Sequence, residues 1–189
     1  MANAPFTSID DLRDIESLNH YREQTAHGTD PDAVMQGLRH RSRDNARTPM
    51  QWDATEHAGF TAGTPWIAVN PDYTDVNAKA QLADPESVFH YYRRLIALRH
   101  TEPALTHGDF HMLHPEHEQL YAFTRHDAER STELLVLANF SGTDLTVDLP
   151  DGWEHSETLI ANVPATSPLT QPHTLQPWEA RVHRRRTTS

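Results

Sequence analysis

The chain contains no cysteine. That excludes disulfides and thiolate metal sites, and it suits a reducing, cytoplasmic compartment. No apolar run is long enough for a membrane span. The opening MANAPFTSIDD lacks the charged and apolar segments of a secretory leader. Positive charge is also short: the formal net charge is -11. Nucleic acid and anionic membranes need clustered positive charge, so neither is expected as a partner. The one basic run, Arg184-Arg185-Arg186, reads as a frayed, solvated tail. No glycine-rich phosphate loop and no nucleophile elbow occur. Asn139-Phe140-Ser141 matches a glycosylation sequon, but it falls in an apolar strand pattern and reads as chance.

What is present suits one large domain or two small ones, globular but polar, over 189 residues. The character of the chain changes near residue 103. Asp10 to Glu23 is charged and reads as a helix, with Leu12, Ile15, Leu18 and Tyr21 on one face. A second short helix starts at Pro31, capped by Asp30 and carrying Ala33, Val34, Met35 and Leu38. Residues 41 to 82 hold little periodicity and much Gly, Pro and Asn punctuation. Long irregular segments in compact domains tend to be functional or disordered. Pro85 to His100 reads as a helix capped by Asp84, with Val88, Tyr91, Tyr92, Leu95 and Leu98 as its stripe.

From Gly108 the period becomes two. Six strands are expected at 110–114, 120–126, 133–140, 144–149, 156–161 and 177–184. Their close spacing suggests an antiparallel sandwich. ELLVLANF at 133–140 is apolar on both faces and should be central.

Several groups offer chemistry, each with a plainer reading beside it. His111, His114 and His117 are spaced by three, but Pro115 makes the segment a turn, in which they scatter; no metal site and no cofactor is expected. Asp10, Asp11, Asp14 and Glu16 could serve acid–base chemistry, yet they read as an ordinary acidic helix face. Met35 and Met50 read as packing residues. Trp52, Trp66, Trp153 and Trp178 could each stack on a sugar, but a buried structural role is expected for each.

One stretch narrows the question. RSRDNARTPMQWD (41–53), followed by AGF (58–60) and PWIAVNPDY (65–73), resembles the C-terminal third of the oligo-1,6-glucosidase group of the α-amylase superfamily, glycoside hydrolase family 13. NAPFTSIDDLRDIESLNHY (3–21) is similar to the segment just after that group's last catalytic aspartate. VFHYYRRLIALRH (88–100) resembles the final helix of its (β/α)8 barrel, and LYAFTRH, LLVLANFSG and LQPWEARV resemble strands of its C-terminal β-domain. The likeness runs in order from residue 3 to about 183. The motif is shared with trehalose-6-phosphate hydrolases, dextran glucosidases and sucrose isomerases.

The resemblance implies a fold: the last portion of a TIM barrel over residues 1–103, with the loop after its last strand and its final helix, then an antiparallel β-sandwich over 104–189. It implies an activity for the full enzyme: exo-acting, retaining hydrolysis of α-1,6-linked gluco-oligosaccharides, extending to α-1,4 links, by a nucleophile and an acid/base carboxyl. It also implies roles. Arg43 would face the terminal glucose at subsite −1, since a guanidinium fork suits both sugar hydroxyls and a carboxylate. Asp44 and Arg47 would brace the loop, and Trp52 would pack beneath it. No residue here matches the family's nucleophile, acid/base, third carboxylate or adjacent histidine, and Arg43's aspartate partner from early in the barrel has no counterpart. The isolated chain is therefore expected to be catalytically silent. Its apolar stripe at 88–98 would stand exposed and favour self-association or binding to the rest of the barrel. The alternative is a non-catalytic carbohydrate-binding or assembly module.

Overall fold

The computed structural model describes residues 2–164 and 168–186. The chain forms two compact units, Met1–His90 and Tyr91–Ser189.

The first unit begins with a 3-10 turn, Ile9–Asp11, closed by a capping box between Ser8 and Asp11. Helix α1 (Ile15–Ala26) then starts afresh with Asp14 as its N-cap. The helix expected from Asp10 is thus broken. Asp11 is taken by the capping box, and Leu12 turns extended to reach the core. Of the expected stripe, Leu12 is buried, Leu18 and Tyr21 are half-buried, and Ile15 is exposed. Helix α2 (Pro31–Arg41) is capped by Asp30 with Pro31 at its first turn, as the sequence reading expects. Its Val34, Met35 and Leu38 join Ala4, Phe6, Leu12 and Ile67 in one core cluster. The rest is loop punctuated by 3-10 turns at Arg43–Ala46, Glu56–Gly59 and Pro71–Thr74, then helix α3 (Ala78–Ala83). Among the described residues this unit has no β-strand.

Helix α4 (Val88–Thr101) starts three residues later than expected. Asp84 closes α3 through its backbone N–H, and its side chain accepts from Glu86 N, so Pro85 lies in a turn. Ser87 Oγ then accepts from His90 N at the new helix start. None of the α4 stripe is buried: Val88, Phe89, Tyr92 and Ile96 are exposed, and Tyr91, Leu95 and Leu98 are half-buried.

The second unit continues with α5 (Ala104–His107) and, among the described residues, seven strands. These are β1 (Asp109–Leu113), β2 (Leu120–Asp127), β3 (Thr132–Asn139), β4 (Leu145–Val147), β5 (Glu157–Ala161), β6 (His173–Leu175) and β7 (Ala180–Arg186). Five form an antiparallel sheet in the order β1-β2-β3-β7-β5, and β4 pairs with β6. Strand β3 is the middle strand, with Leu134, Leu135 and Leu137 fully buried, which explains its lack of alternation. Leu120, Ala122, Leu135 and Leu137 from the larger sheet share a core with Val147, Leu149, Trp153 and Leu175. Burying each leucine there contributes about 1.5–3 kcal/mol.

The six expected strands are present with shifted ends, and β6 is an addition. The arginine run is corrected: Arg184-Arg185-Arg186 ends β7 rather than fraying. Arg184 pairs with Glu157 and Glu102, and Arg185 with Glu133. Arg186 bonds Arg130 O and Thr132 Oγ1.

Candidate functional site

The 3-10 turn Arg43–Ala46 is fixed from within by Asp44. Its side chain has no exposed surface. Asp44 Oδ2 accepts from Arg13 N at 2.6 Å and Asp14 N at 2.9 Å, the two backbone groups entering α1. Its Oδ1 accepts from Arg47 Nη1 at 3.2 Å. The same Arg47 nitrogen reaches Asp14 Oδ1 at 3.0 Å. Ser42 caps the turn by accepting from Asp44 N, and its hydroxyl lies 3.0 Å from Ser17 Oγ, whose own proton goes to Asp14 Oδ2. Asp44 and Arg47 therefore join the loop to the start of α1 through charge-assisted bonds.

Arg43 lies on the same network with a more open side chain, 56% exposed against 40% for Arg47. Its Nη2 is 2.6 Å from Glu16 Oε2 and 3.1 Å from Asp14 Oδ1. Asp14 is buried, so the carboxylate reading of 10–16 as a plain solvated face is corrected there. Burial pushes the Asp14 carboxyl up. The Ser17 backbone and hydroxyl, then Arg47 and the charge of Arg43, outweigh that and hold it below the usual carboxylate range. Arg47 is raised in turn, first by its bond to Asp14. Asp14, Glu16, His20, Leu38, Ser42 and Arg43 line a cavity of about 370 Å³. With Ser17 and Arg41, its lining mixes two carboxylates, two guanidinium groups, two hydroxyls and an imidazole, a donor and acceptor set suited to a polyhydroxylated ligand. The pairing of Arg43 with Asp14 and Glu16 was not read from the sequence. The available signal was Asp14-x-x-Ser17, an N-cap spacing that places Asp14 at a helix start.

Trp52, expected beneath this loop, is 53% exposed in this structure. Its backbone carries the bracing instead, with Trp52 N donating to Ala58 O and Trp52 O accepting from Lys79 N. The following turn is strained. His57, Ala58 and Gly59 all have left-handed φ, at 52, 58 and 65°. A non-glycine residue in that region costs about 1–2 kcal/mol. Asp53 holds the turn, accepting from Thr55 N at 2.9 Å and from Thr55 Oγ1. Gln51 anchors the other side, donating to Asp72 Oδ1 and Val76 O, both at 2.7 Å.

Of the other tryptophans, Trp153 is buried as expected, whereas Trp66 and Trp178 are exposed. Met35 is buried and Met50 exposed. The three spaced histidines are apart in role. His114 Nε2 meets Asp148 O, His117 Nδ1 accepts from Gln119 N and Leu120 N, and His111 is exposed on β1. Among the described residues no group of three or more His, Asp or Glu could hold a metal ion. No helix among them is long and apolar enough to cross a membrane.

Similarity to known proteins follows this geometry. Residues 12–108, just over half of the chain, match the family described as alpha amylase, catalytic domain. The chain is 46% identical to an oligo-1,6-glucosidase of Parageobacillus thermoglucosidasius, over 97% of this chain and 33% of that protein. It is 41% identical to a trehalose-6-phosphate hydrolase of Bacillus subtilis, again over 97% and 33%. The crystal structure of a Bacillus licheniformis trehalose-6-phosphate hydrolase superposes with a TM-score of 0.91 at 38% identity, over 97% of this chain and 34% of that one. A trehalulose synthase structure superposes at 0.89 and 37% identity, over 98% and 34%. The chain thus spans about a third of the length of the relatives it matches. With its network-held arginine loop inside the matched segment, the chain belongs to the alpha-amylase family, beside its oligo-1,6-glucosidases.

Proposed function

We propose that this chain is the C-terminal portion of an exo-acting, retaining α-glucosidase on α-1,6-linked gluco-oligosaccharides, extending to α-1,4 links. Arg43 contacts the terminal glucose, while Asp44, Arg47 and the Trp52 backbone hold its loop. Residues 1–103 complete a (β/α)8 barrel, and 104–189 form its β-sandwich partner domain. The catalytic carboxylates lie on other sequence, so the 189 residues alone are silent. The rest of the barrel, or a second copy, covers the exposed α4 stripe. The cysteine-free composition suits a reducing, cytoplasmic setting.

The observation that carries this reading is the state of Arg43. Its turn is fixed through a buried carboxylate, yet both of its own ion pairs run through Nη2 alone. Nη1 and Nε are left uncommitted among the described residues, at the edge of a cavity. A guanidinium held at one corner can present its remaining donors to hydroxyls. The relatives' names support the substrate class. The test is complementation with the first two-thirds of an oligo-1,6-glucosidase relative. Glucose release from isomaltose should appear on mixing and fall at least 100-fold with Arg43→Ala; no release from a mixture that forms a stable complex would refute the reading.

A second reading has its own observation. Phe110, Phe123, Tyr121 and Phe140 form a chain of ring contacts at 5.1, 5.4 and 6.5 Å, and three of the four rings are exposed. Such rings could stack on sugars as a carbohydrate-binding module. Saturable binding of maltose or isomaltose by the chain, removed by Tyr121→Ala but not by Arg43→Ala, would favour it.

A further inference from the structure

The inward face of β7 carries a polar column inside the second unit. Arg181, His183 and Arg185 stand opposite Leu137, Leu135 and Glu133 of β3. Arg181 is buried, with Nε 2.6 Å from Glu179 Oε1 and Nη1 3.0 Å from Nε2 of His173 on β6. Glu179 Oε2 accepts from Gln176 N. A guanidinium only donates, so His173 Nε2 must accept and its proton sits on Nδ1, an assignment made from the network. A proton added to Nε2 would set N–H against N–H across 3.0 Å. It would also place a second positive charge beside a buried guanidinium.

His183 is fully buried one alternation along. Ser156 Oγ donates to Trp153 O at 2.7 Å, so the 3.2 Å contact with His183 Nδ1 is a bond donated by the imidazole. Thr158 Oγ1 lies 3.4 Å from the same nitrogen. Nε2 is buried with no partner among the described residues. The charges around the two rings are already matched. Arg181 pairs with Glu179; Arg185 pairs with Glu133 and stacks on Trp153 at 4.3 Å. Neither imidazole faces a carboxylate free to receive its proton.

We propose that His173 and His183 form an acid-sensitive clasp: protonation of the pair releases the β4–β6 sheet from the five-stranded sheet. Burial, then the charge of Arg181, holds His173 below the usual imidazole range against the opposing pull of Glu179. Burial, then Arg181 and His173, pushes His183 down to about 4. Both rings are neutral when folded and take a proton near pH 6.5 when released. The clasp is therefore complete above pH 6.5 and is lost as pH falls toward 4. For an opening that fully exposes His183, this shift amounts to roughly 30-fold in that equilibrium at pH 5.

Hydrogen exchange on the full chain at pH 7.5 and pH 5 tests the clasp. Protection factors of the β4 and β6 amides should fall at least several-fold, while those of β2 and β3 hold. Unchanged protection in β4 and β6, or an equal loss through both sheets, would overturn the proposal. His173→Gln keeps an acceptor for Arg181 and cannot titrate, so it should shrink the acid loss. Imidazole proton NMR of the unaltered chain gives a readout free of any variant. Two of the fourteen histidines should stay neutral until β4 and β6 open. All fourteen titrating between pH 6 and 7 with protection intact would also overturn it.

Discussion

Arg43 and Asp44 are adjacent and share a network, yet substitution should cost very different amounts of stability at the two. Asp44 is a buried carboxylate receiving three donors. Asp44→Ala strands Arg13 N, Asp14 N and Arg47, and breaking such a buried set costs about 3–5 kcal/mol. Arg43 is more than half exposed and its pairs are screened. Arg43→Ala should cost under about 1 kcal/mol. Urea unfolding of the two variants checks the contrast; equal losses would mean that Arg43 braces the loop rather than serving a ligand. Gly59 sets a second residue-scale expectation. A Cβ there would meet Asp53 Oδ1 at 2.8 Å, and φ is +65°. Asp53 is already held by Thr55. Gly59→Ala should therefore lose at least about 1 kcal/mol by thermal unfolding. At this scale the sequence is legible where a side chain caps locally, as Asp30 does before Pro31. Asp14 was harder, because its burial depends on Asp44 and Arg47, thirty or more residues away. Trp52 is exposed although a large apolar side chain usually seeks cover, and its backbone N–H and C=O are both bonded.

Among the elements, α4 is long and has no buried residue. Val88, Phe89, Tyr92 and Ile96 are exposed on a fourteen-residue helix. Contiguous apolar surface of this kind invites association. Tyr92→Lys with Ile96→Lys should lower self-association in analytical ultracentrifugation while leaving the unfolding midpoint within about 0.5 kcal/mol. A large loss of stability with no change in association would show that the stripe packs within the chain. The start of α4 shows the limit of local signals. Asp84 and Pro85 form a sound cap pattern on paper, but Asp84 is engaged at the end of α3 and Ser87 takes the role. Strand β6 is not legible in the sequence because three residues, His173–Leu175, are too short for alternation to register. Strand β3 is legible for the opposite reason: its unbroken apolar run LLVLA (134–138) has few homes except the middle of a sheet.

For the molecule as a whole, composition and period gave the division into an irregular helical part and an antiparallel β part, but no chemistry. The chemistry entered through the RDNARTPMQWD motif, and the structure adds what the motif cannot express: the arginine is attached to two carboxylates of α1's first turn. The central claim is that this chain supplies the arginine side of a sugar pocket whose catalytic carboxylates lie elsewhere. Its most direct test is glucose release from isomaltose by the purified 189-residue chain, with Arg43→Ala alongside. The account predicts no release above buffer from either. Release by the unaltered chain that Arg43→Ala abolishes would contradict it, and would make Asp14 and Glu16 the catalytic pair.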